Sequence, residues 1–158
     1  MSATAAETSG GMSMLGLVTV GELAMRPHAR VDVGATIAKA VEEMKATGRG
    51  AVLIEEGGAL VGIFTERDLL GRVDHRDAKW SSVDVRDVMT PHPMVIRRED
   101  SLAEVMHRLI QGRCRHLPVV DGKGAVLGLV SIRDILSYIA GRFPEELMNL
   151  PPDPRHES

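Results

Sequence analysis

A hydroxyl side chain followed three residues later by a carboxylate occurs twice in the sequence, at Thr65 with Asp68 and at Ser131 with Asp134. This spacing is typical of a helix start, where the hydroxyl caps the first turn and the acid complements the helix dipole. The same groups can also bind a ligand, because a carboxylate accepts about four hydrogen bonds and a helix N-terminus favours phosphate. The spacing alone leaves both roles open, and one residue can fill both.

The two pairs lie inside a longer internal repeat. Residues 62–70 match residues 128–136 at a constant offset, so that Gly62 corresponds to Gly128 and Asp68 to Asp134. We therefore predict a duplicated unit with short flanking segments. The predicted ranges are a disordered N-terminal tail over 1–17, a first repeat over 18–73, a polar linker over 74–82, a second repeat over 83–142 and a C-terminal tail over 143–158.

Each unit shows the same order of signals, strand, helix, strand, strand and helix, which predicts an α+β fold. The first strands are predicted at 31–33 and 94–96, and glycine-containing hairpin turns at 56–58 and 121–124. A unit of this size hides only about 60% of its chain surface. We therefore expect the two sheets to pack face to face with pseudo-two-fold symmetry, leaving two related clefts where the second helices begin.

Composition excludes several classes of function. The chain has 158 residues, too few for a large multidomain enzyme, and only 3% of them are aromatic, which argues against surfaces that stack nucleic-acid bases. A net charge of −3 gives no electrostatic footprint for nucleic acid or an anionic membrane, and no segment has the length of a membrane span. We therefore predict no nucleic-acid partner and no membrane association.

Cys114 is the only cysteine, which excludes an intrachain disulfide and favours a reducing, cytoplasmic setting. Its neighbours Arg113 and Arg115 could lower the pKa of the thiol, but no catalytic base accompanies it, so a filler role is favoured over catalysis. The six histidines lack the spacing of metal ligands. We predict no metal site and no catalytic residue.

Four sequence elements together point to a family. They are the glycine-apolar-x-Ser/Thr-x-x-Asp pattern at 62–68, its repeat at 128–134, the Val-Met-Thr-Pro segment at 88–91 and the Arg-His-Leu-Pro-Val-Val segment at 115–120. With them the chain resembles the tandem cystathionine-β-synthase (CBS) domain pair, or Bateman module, over most of its length. The resemblance implies two intertwined β-α-β-β-α CBS repeats related by pseudo-two-fold symmetry.

The resemblance also implies a regulatory module that binds an adenosine-containing ligand, such as AMP, ADP, ATP, NAD or S-adenosylmethionine. In such modules the aspartate accepts hydrogen bonds from the ribose hydroxyls, and the hydroxyl residue lies beside the ribose and phosphate. These roles fall on Asp68 and Thr65 in one cleft and on Asp134 and Ser131 in the other. Chemically, a carboxylate suits a vicinal diol.

By the same resemblance, basic residues of one repeat meet the ligand phosphate of the other across the pseudo-two-fold. Arg115 and His116 would then join Thr65 and Asp68, although a solvated basic turn after a helix also explains them. The corresponding place in the first repeat is interpreted as Arg49 and Gly50, so the Ser131 and Asp134 cleft should have one cation fewer and bind phosphate less well. Because a bound phosphate favours charged imidazole, we expect AMP affinity to rise as pH falls from about 8 toward 6.

The remaining ligand contacts are less defined by the sequence. Apolar strand residues are the candidates for packing against adenine, namely Val95, Ile96 and Pro118. Arg67 and Arg133 either reach phosphate or are simply exposed helix arginines.

We thus predict a non-catalytic adenine-nucleotide sensor that regulates an unidentified protein partner. The alternative is a ligand-free interaction or scaffold subunit that uses the CBS pair for dimerisation and partner binding. A homodimer is expected through apolar residues of the second helices, namely Leu69, Leu70, Ile135, Leu136 and Ile139. In the C-terminal tail, Phe143, Leu147 and Leu150 share one helical face, which we expect to dock on the module or on a second subunit.

Overall fold

The structure is a computed structural model that describes residues 14–142 and residue 144. Its first unit has the predicted order of strand, helix, strand, strand and helix, and the α+β class is confirmed. In chain order the strands and helices are β1 Ala29–Asp32, α1 Ile37–Thr47, β2 Ala51–Glu56, β3 Ala59–Thr65, α2 Glu66–Gly71, β4 Thr90–Pro91, α3 Leu102–Gln111, β5 His116–Val120, β6 Val126–Ser131 and α4 Ile132–Arg142. Short 3-10 helices lie at Val20–Glu22, Trp80–Ser82 and Val85–Asp87.

Local signals in the sequence explain where these elements begin and end. The Thr36 side chain caps α1 by accepting from the Lys39 backbone N–H, and Gly48 ends the helix at φ 63°, a conformation that favours glycine. Gly57 and Gly58 have φ values of 59° and 83°, which produce the tight hairpin between β2 and β3. The two ends of α1 and the turn between β2 and β3 are thus determined by residues adjacent in the sequence.

The two sheets differ in size. The first has the order β1-β2-β3-β4, with β1 parallel to β2 and the other pairs antiparallel, whereas the second contains β5 and β6 alone. The strand predicted at 94–96 is wrong: only Ile96 makes a bridge, to Val119. A parallel pairing extended toward Met94 would need the N–H of Pro118, and proline has none. Leu53 holds the matching place in the first unit, opposite Ile63 as Pro118 is opposite Leu129, and it has a backbone N–H.

The units are intertwined through the segments that lead into them. Val20 and Leu23 are buried in the core of the second unit, and Val85 is buried in the core of the first. The Met25 side chain crosses onto Gly128, and the Met89 side chain crosses onto Gly62. A Cβ at either glycine would overlap the methionine sulfur. A larger residue than glycine in the repeated pattern would therefore force the methionine side chain to shift.

The sheets meet through a separate apolar cluster of Ala51, Leu53, Ile63 and Leu129, all of them buried. Both units thus cover one sheet face with the other unit, as their small size demands. This arrangement places the start of α2 beside the β5 entry and the start of α4 beside the β2 entry. The two clefts lie at these junctions.

Some predictions at the edges of the repeats need correction. Leu15 lies within the segment expected to be a disordered tail, yet it is buried in the second core. Trp80, in the predicted linker, packs against the first core. The C-terminal face of Phe143, Leu147 and Leu150 lies outside the described residues. Among the helices that the structure describes, none has the length and apolar character needed to cross a membrane.

The apolar residues expected to be left over for a dimer are only partly exposed. Ile135 is fully buried within the chain, and Leu69 and Ile139 pack against its cores. Leu70 and Leu136 remain, with 80% and 56% of their surface exposed. They occupy equivalent positions on α2 and α4.

Candidate functional site

Both helix starts singled out by the sequence form the same hydrogen-bonded unit. Oδ2 of Asp68 accepts from the Thr65 backbone N–H and from the Thr65 hydroxyl, both at 2.9 Å. Oδ2 of Asp134 accepts from the same two groups of Ser131, both at 2.8 Å. The capping role is therefore present in both units. It uses one oxygen of each carboxylate and leaves the other for a different partner.

The first cleft, called here the Asp68 cleft, has a volume of about 440 Å³. Thr65 and Asp68 line it together with Arg115 and His116 of the second unit, so the structure brings together the predicted pair and the predicted basic residues. Arg67 and Gly50 lie in the same cleft. The volume is within the range of about 300–1,000 Å³ that is usual for small-molecule sites.

The second cleft, called here the Asp134 cleft, has a volume of about 390 Å³. Ser131 and Arg133 line it, and Arg49 and Gly50 reach it from the first unit as expected. Asp134 is not among its lining residues. Its carboxylate lies beneath the Arg49 side chain, so the predicted ribose-binding group is covered.

The expected difference in charge between the clefts is wrong. Arg115 and His116 line both clefts, because these meet at the start of β5. Each cleft also carries four arginines. Those of the Asp134 cleft are Arg26, Arg49, Arg115 and Arg133, and those of the Asp68 cleft are Arg67, Arg72, Arg113 and Arg115. Both clefts are thus suited to an anionic ligand.

The correspondence between the two basic segments is also shifted by one residue. Backbone N–H groups of Arg49 and Cys114 donate to Met44 and Leu109, at 3.1 and 3.2 Å, after equivalent helices. Arg49 therefore corresponds to Cys114, and not to Arg115 as the sequence comparison suggested. Cys114 faces the Asp68 cleft, where Arg49 would stand in the other unit.

Arg49 makes an ion pair that the sequence did not predict. Its Nη1 donates to both carboxylate oxygens of Asp134, at 2.9 and 3.1 Å, and its Nε donates to the Pro27 carbonyl. Both side chains of the ion pair are only 9% exposed. The charge expected to meet phosphate is therefore already neutralised within the chain.

Asp68 has a weaker partner. Nε of Arg72 lies 3.2 Å from its Oδ1, but that arginine follows on the same helix and is 49% exposed. Arg72 also donates to the carbonyls of Val88 and Met89. No hydrogen bond from the described residues reaches Oδ1 of Asp68, so this oxygen can accept from a ligand.

The local environment shifts three pKa values. Burial alone would raise the pKa of Asp134, but the Ser131 hydrogen bonds and the Arg49 guanidinium outweigh it and hold that pKa below its usual range. Burial lowers the pKa of His116, with the positive charge of Arg49 as the next cause. Burial also raises the pKa of the Cys114 thiol, which corrects the suggestion that flanking arginines lower it.

The residues proposed to hold adenine lie elsewhere. Ile96 is completely buried in the second core, and neither Val95 nor Pro118 lines either cleft. The reason is that β5 directs its centre into the core and presents only its first residue to the clefts. Ile63, at the end of β3, is an apolar residue that does line the Asp68 cleft.

The two helix arginines behave differently. Arg67 donates to the Arg113 carbonyl at 2.8 Å and so bridges the units. Its counterpart Arg133 is exposed and lines the Asp134 cleft. Of these two arginines, only Arg133 has a guanidinium that makes no hydrogen bond to the described residues and can therefore contact a ligand.

The sequence reasoning missed two residues of the Asp134 cleft, Arg26 and Pro27. A signal was present, because Met25-Arg26-Pro27-His28 repeats the pattern of Met89-Thr90-Pro91-His92. In the structure Thr90 lines one cleft where Arg26 lines the other. Comparing these two entry segments would have identified them.

The comparison with protein families agrees with this architecture. A model of the CBS domain matches residues 20–75 and again residues 85–141. The chain belongs to the CBS-domain family. Both matched ranges begin and end within two residues of the predicted repeats.

Curated relatives extend the CBS assignment. The chain is 35% identical over 111 residues to the Meiotically up-regulated gene 70 protein of Schizosaccharomyces pombe, covering 70% of this chain and 15% of that protein. It is 32% identical over 137 residues to the uncharacterized protein MK0525 of Methanopyrus kandleri, covering 82% and 68%. The CBS pair thus accounts for a small part of the first relative and for most of the second.

Solved CBS structures share the fold. The CBS-domain containing protein ATU1752 of Agrobacterium tumefaciens aligns with a TM-score of 0.66 and 30% identity, over 72% of this chain and 90% of that one. CBSX2, solved in complex with AMP, aligns with a TM-score of 0.66 and 25% identity, over 79% and 98%. The two intertwined repeats are therefore an established CBS-pair arrangement.

Proposed function

We propose that this chain is a non-catalytic regulatory module that binds an adenosine-containing ligand in the Asp68 cleft. The observation that carries the proposal is Oδ1 of Asp68, which the Thr65 cap does not use and which only contacts the half-exposed Arg72 among the described residues, in a cleft of suitable size that Arg115 and His116 also line. A ribose diol can donate to this oxygen while the arginines face the phosphate. The AMP complex of CBSX2 supports the same ligand class.

The environment of Cys114 agrees with the non-catalytic part of this proposal. The Cys114 thiol has a raised pKa because of burial, so it is protonated at neutral pH and a poor nucleophile. Regulation would therefore act through ligand-dependent binding to another protein, which the chain does not identify.

Titration with nucleotides tests this function. The purified protein is denatured and refolded to strip any carried-over ligand, and is then titrated with AMP, ATP and NAD by calorimetry and thermal unfolding. A ligand at about 100 times its dissociation constant should stabilise the native state by roughly 2.7 kcal/mol. Inorganic phosphate at the same concentration should not, because it lacks the ribose that Asp68 binds.

The decisive variant is Asp68→Asn, which preserves the shape of the side chain but removes the charged acceptor. It should remain folded and lose the stabilisation at this cleft. If the unmodified protein binds none of the three nucleotides, the alternative of a ligand-free scaffold subunit is favoured instead.

A further inference from the structure

We propose that Arg49 determines the specificity of the Asp134 cleft: it covers the ribose-binding carboxylate and releases it only to a ligand that carries phosphate. This inference rests on the proposed function, since it concerns which adenosine ligands the second cleft accepts. It predicts that the two clefts fill in order. The Asp68 cleft accepts a nucleoside with or without phosphate, and the Asp134 cleft accepts only the phosphorylated form.

The first support is the occupancy of the Asp134 carboxylate. Its Oδ2 accepts from the Ser131 backbone N–H, the Ser131 hydroxyl and Arg49, and its Oδ1 accepts from Arg49. A ribose diol needs two acceptor positions, and about four exist on a carboxylate. Arg49 must therefore move before a ribose can bind in the manner available at Asp68.

The second support is the burial of Arg49. Its side chain is 9% exposed, and its Nη2 is buried without a hydrogen-bond partner among the described residues. Separating a buried ion pair is strongly unfavourable when the remaining charge stays unpaired. A nucleoside supplies no anion to replace Asp134, whereas a nucleotide phosphate supplies one and gives Nη2 an acceptor.

The third support is the contrast with the other cleft. Cys114 stands at the position equivalent to Arg49, as the matching backbone hydrogen bonds to Met44 and Leu109 show. A thiol does not pair with Asp68, whose ion-pair partner among the described residues is the half-exposed Arg72. The two carboxylate side chains are about equally buried, at 10% and 9% exposed, but they differ in their cationic partners. Asp134 is held by the buried Arg49, and Nε of Arg26 lies 4.0 Å from its Oδ1, whereas Asp68 is held by an arginine that is itself half-exposed.

The test uses adenosine and AMP as probes in calorimetric titrations. In the Asp68→Asn protein, which isolates the Asp134 cleft, AMP should bind and adenosine should bind at least about tenfold more weakly. Adding Arg49→Cys should raise adenosine affinity until this preference is largely lost. Adding Arg133→Met instead removes a cation from the same cleft without uncovering Asp134, so adenosine should stay weakly bound.

The reciprocal variant does not depend on removing a buried ion pair. Cys114→Arg in the otherwise unmodified protein should reduce adenosine affinity at the Asp68 cleft at least about tenfold, with a smaller loss for AMP. In the Asp68→Asn protein, AMP should also shift the Arg49 Nε–H resonance, and adenosine should leave it unchanged.

Three results would overturn the inference. They are equal affinity for adenosine and AMP in the Asp68→Asn protein, binding of neither probe there while the unmodified protein binds both, and an AMP preference that survives Arg49→Cys. Failure of the proposed function has a different signature, because the unmodified protein would then bind neither probe at any cleft.

Discussion

The Asp68 and Asp134 clefts each lie at a helix start, have similar volumes and are each lined by four arginines, but their carboxylates contact different side chains. Asp134 pairs with a buried arginine from the other unit, and Asp68 pairs with a half-exposed arginine of its own helix. Duplication has preserved the backbone framework that presents each carboxylate. The side chain at one position, Arg49 or Cys114, is the difference that we propose controls access to that carboxylate. Equivalent motifs in a repeat therefore do not imply equivalent sites.

The largest expected effect on stability separates the two aspartates. Asp134→Ala leaves Arg49 buried without its anion, and breaking a buried ion pair destabilises by about 3–5 kcal/mol. Asp68→Ala removes the N3 residue of the Thr65 capping box and its contact with the half-exposed Arg72, and should destabilise by about 1 kcal/mol. Urea unfolding of both variants measures the difference.

The double variant Arg49→Met with Asp134→Ala provides the control for the Asp134→Ala effect. It removes both charges and should recover much of the lost stability, because an apolar side chain tolerates burial. Equal losses for Asp68→Ala and Asp134→Ala would contradict the assigned difference between the clefts.

The second expected effect concerns dimerisation, which we propose to occur through α2 and α4. Leu70 is more exposed than Leu136, at 80% against 56%, so it has more surface to bury against a second copy. Fully burying a leucine contributes about 1.5–3 kcal/mol, and Leu70→Ala should therefore weaken the dimer more than Leu136→Ala. Sedimentation at several protein concentrations measures the dissociation constants.

Ile110→Ala is the matched control for the dimer, since Ile110 is 73% exposed but lies on α3, which is not one of the two helices proposed to form the interface. It should leave association unchanged. A monomeric unmodified protein, or an Ile110→Ala effect as large as that of Leu70→Ala, would count against this interface.

The third expected effect concerns the crossed methionines. A Cβ at Gly62 would overlap the Met89 sulfur, and a Cβ at Gly128 would lie 2.8 Å from the Met25 sulfur. Overpacking of this kind destabilises by about 1–3 kcal/mol, and Gly62→Ala should cost more than Gly128→Ala because the overlap is greater. Thermal unfolding ranks the two variants.

Two further variants support or contradict that explanation. Gly122→Ala should be nearly neutral, since no atom lies within 4 Å of its added Cβ. Met89→Ala combined with Gly62→Ala should restore part of the loss. If the double variant restores no stability, then packing against the methionine does not explain the repeated glycine.

Much of the fold was predictable because its signals are local. The helix starts at Thr65 and Ser131, the end of α1 at Gly48 and the turn at Gly57 each depend on a few adjacent residues. The duplication itself, visible in the repeated segments 62–70 and 128–136, indicated two clefts. The resemblance to the CBS pair implied that basic residues cross between the units.

The remaining features depend on long-range geometry. The pairing of Arg49 with Asp134 required the correct correspondence between helix ends, and a small difference in loop length shifted it by one residue. Ile96 was assigned to adenine, although the short parallel bridge directs it into the core. Alternation in a strand shows that two faces exist, but it does not show which residues reach a cleft edge.

The smallest expected effect is the pH dependence that arises from His116, which lies where the two clefts meet. Burial and the Arg49 charge lower its pKa in the folded state, while Asp134 and Glu66 partly oppose them. Below about pH 6.5, His116 is therefore protonated to a greater extent in the unfolded state than in the folded state. The free energy of unfolding should decrease as pH falls from about 6.5 toward the lowered pKa of folded His116. His116→Gln should reduce this slope in urea unfolding at several pH values. Since the pKa of His28 is also lowered by burial, a smaller slope of the same sign should remain.

The same titration sets the pH range for phosphate binding at the cleft junction. A bound phosphate favours charged imidazole, so AMP affinity should rise as pH falls. Because the pKa of His116 is lowered in the free protein, we expect this rise to continue below about pH 6.5 and not to end between pH 8 and 6. AMP also titrates near pH 6, so the measured quantity is the ratio of AMP affinities for the unmodified protein and His116→Gln. That ratio should increase between about pH 7.5 and 5.5 because only the unmodified protein gains a charge at this position. A constant ratio across the range would show that His116 does not contact the phosphate, and the basic residues of both clefts would then reduce to their arginines.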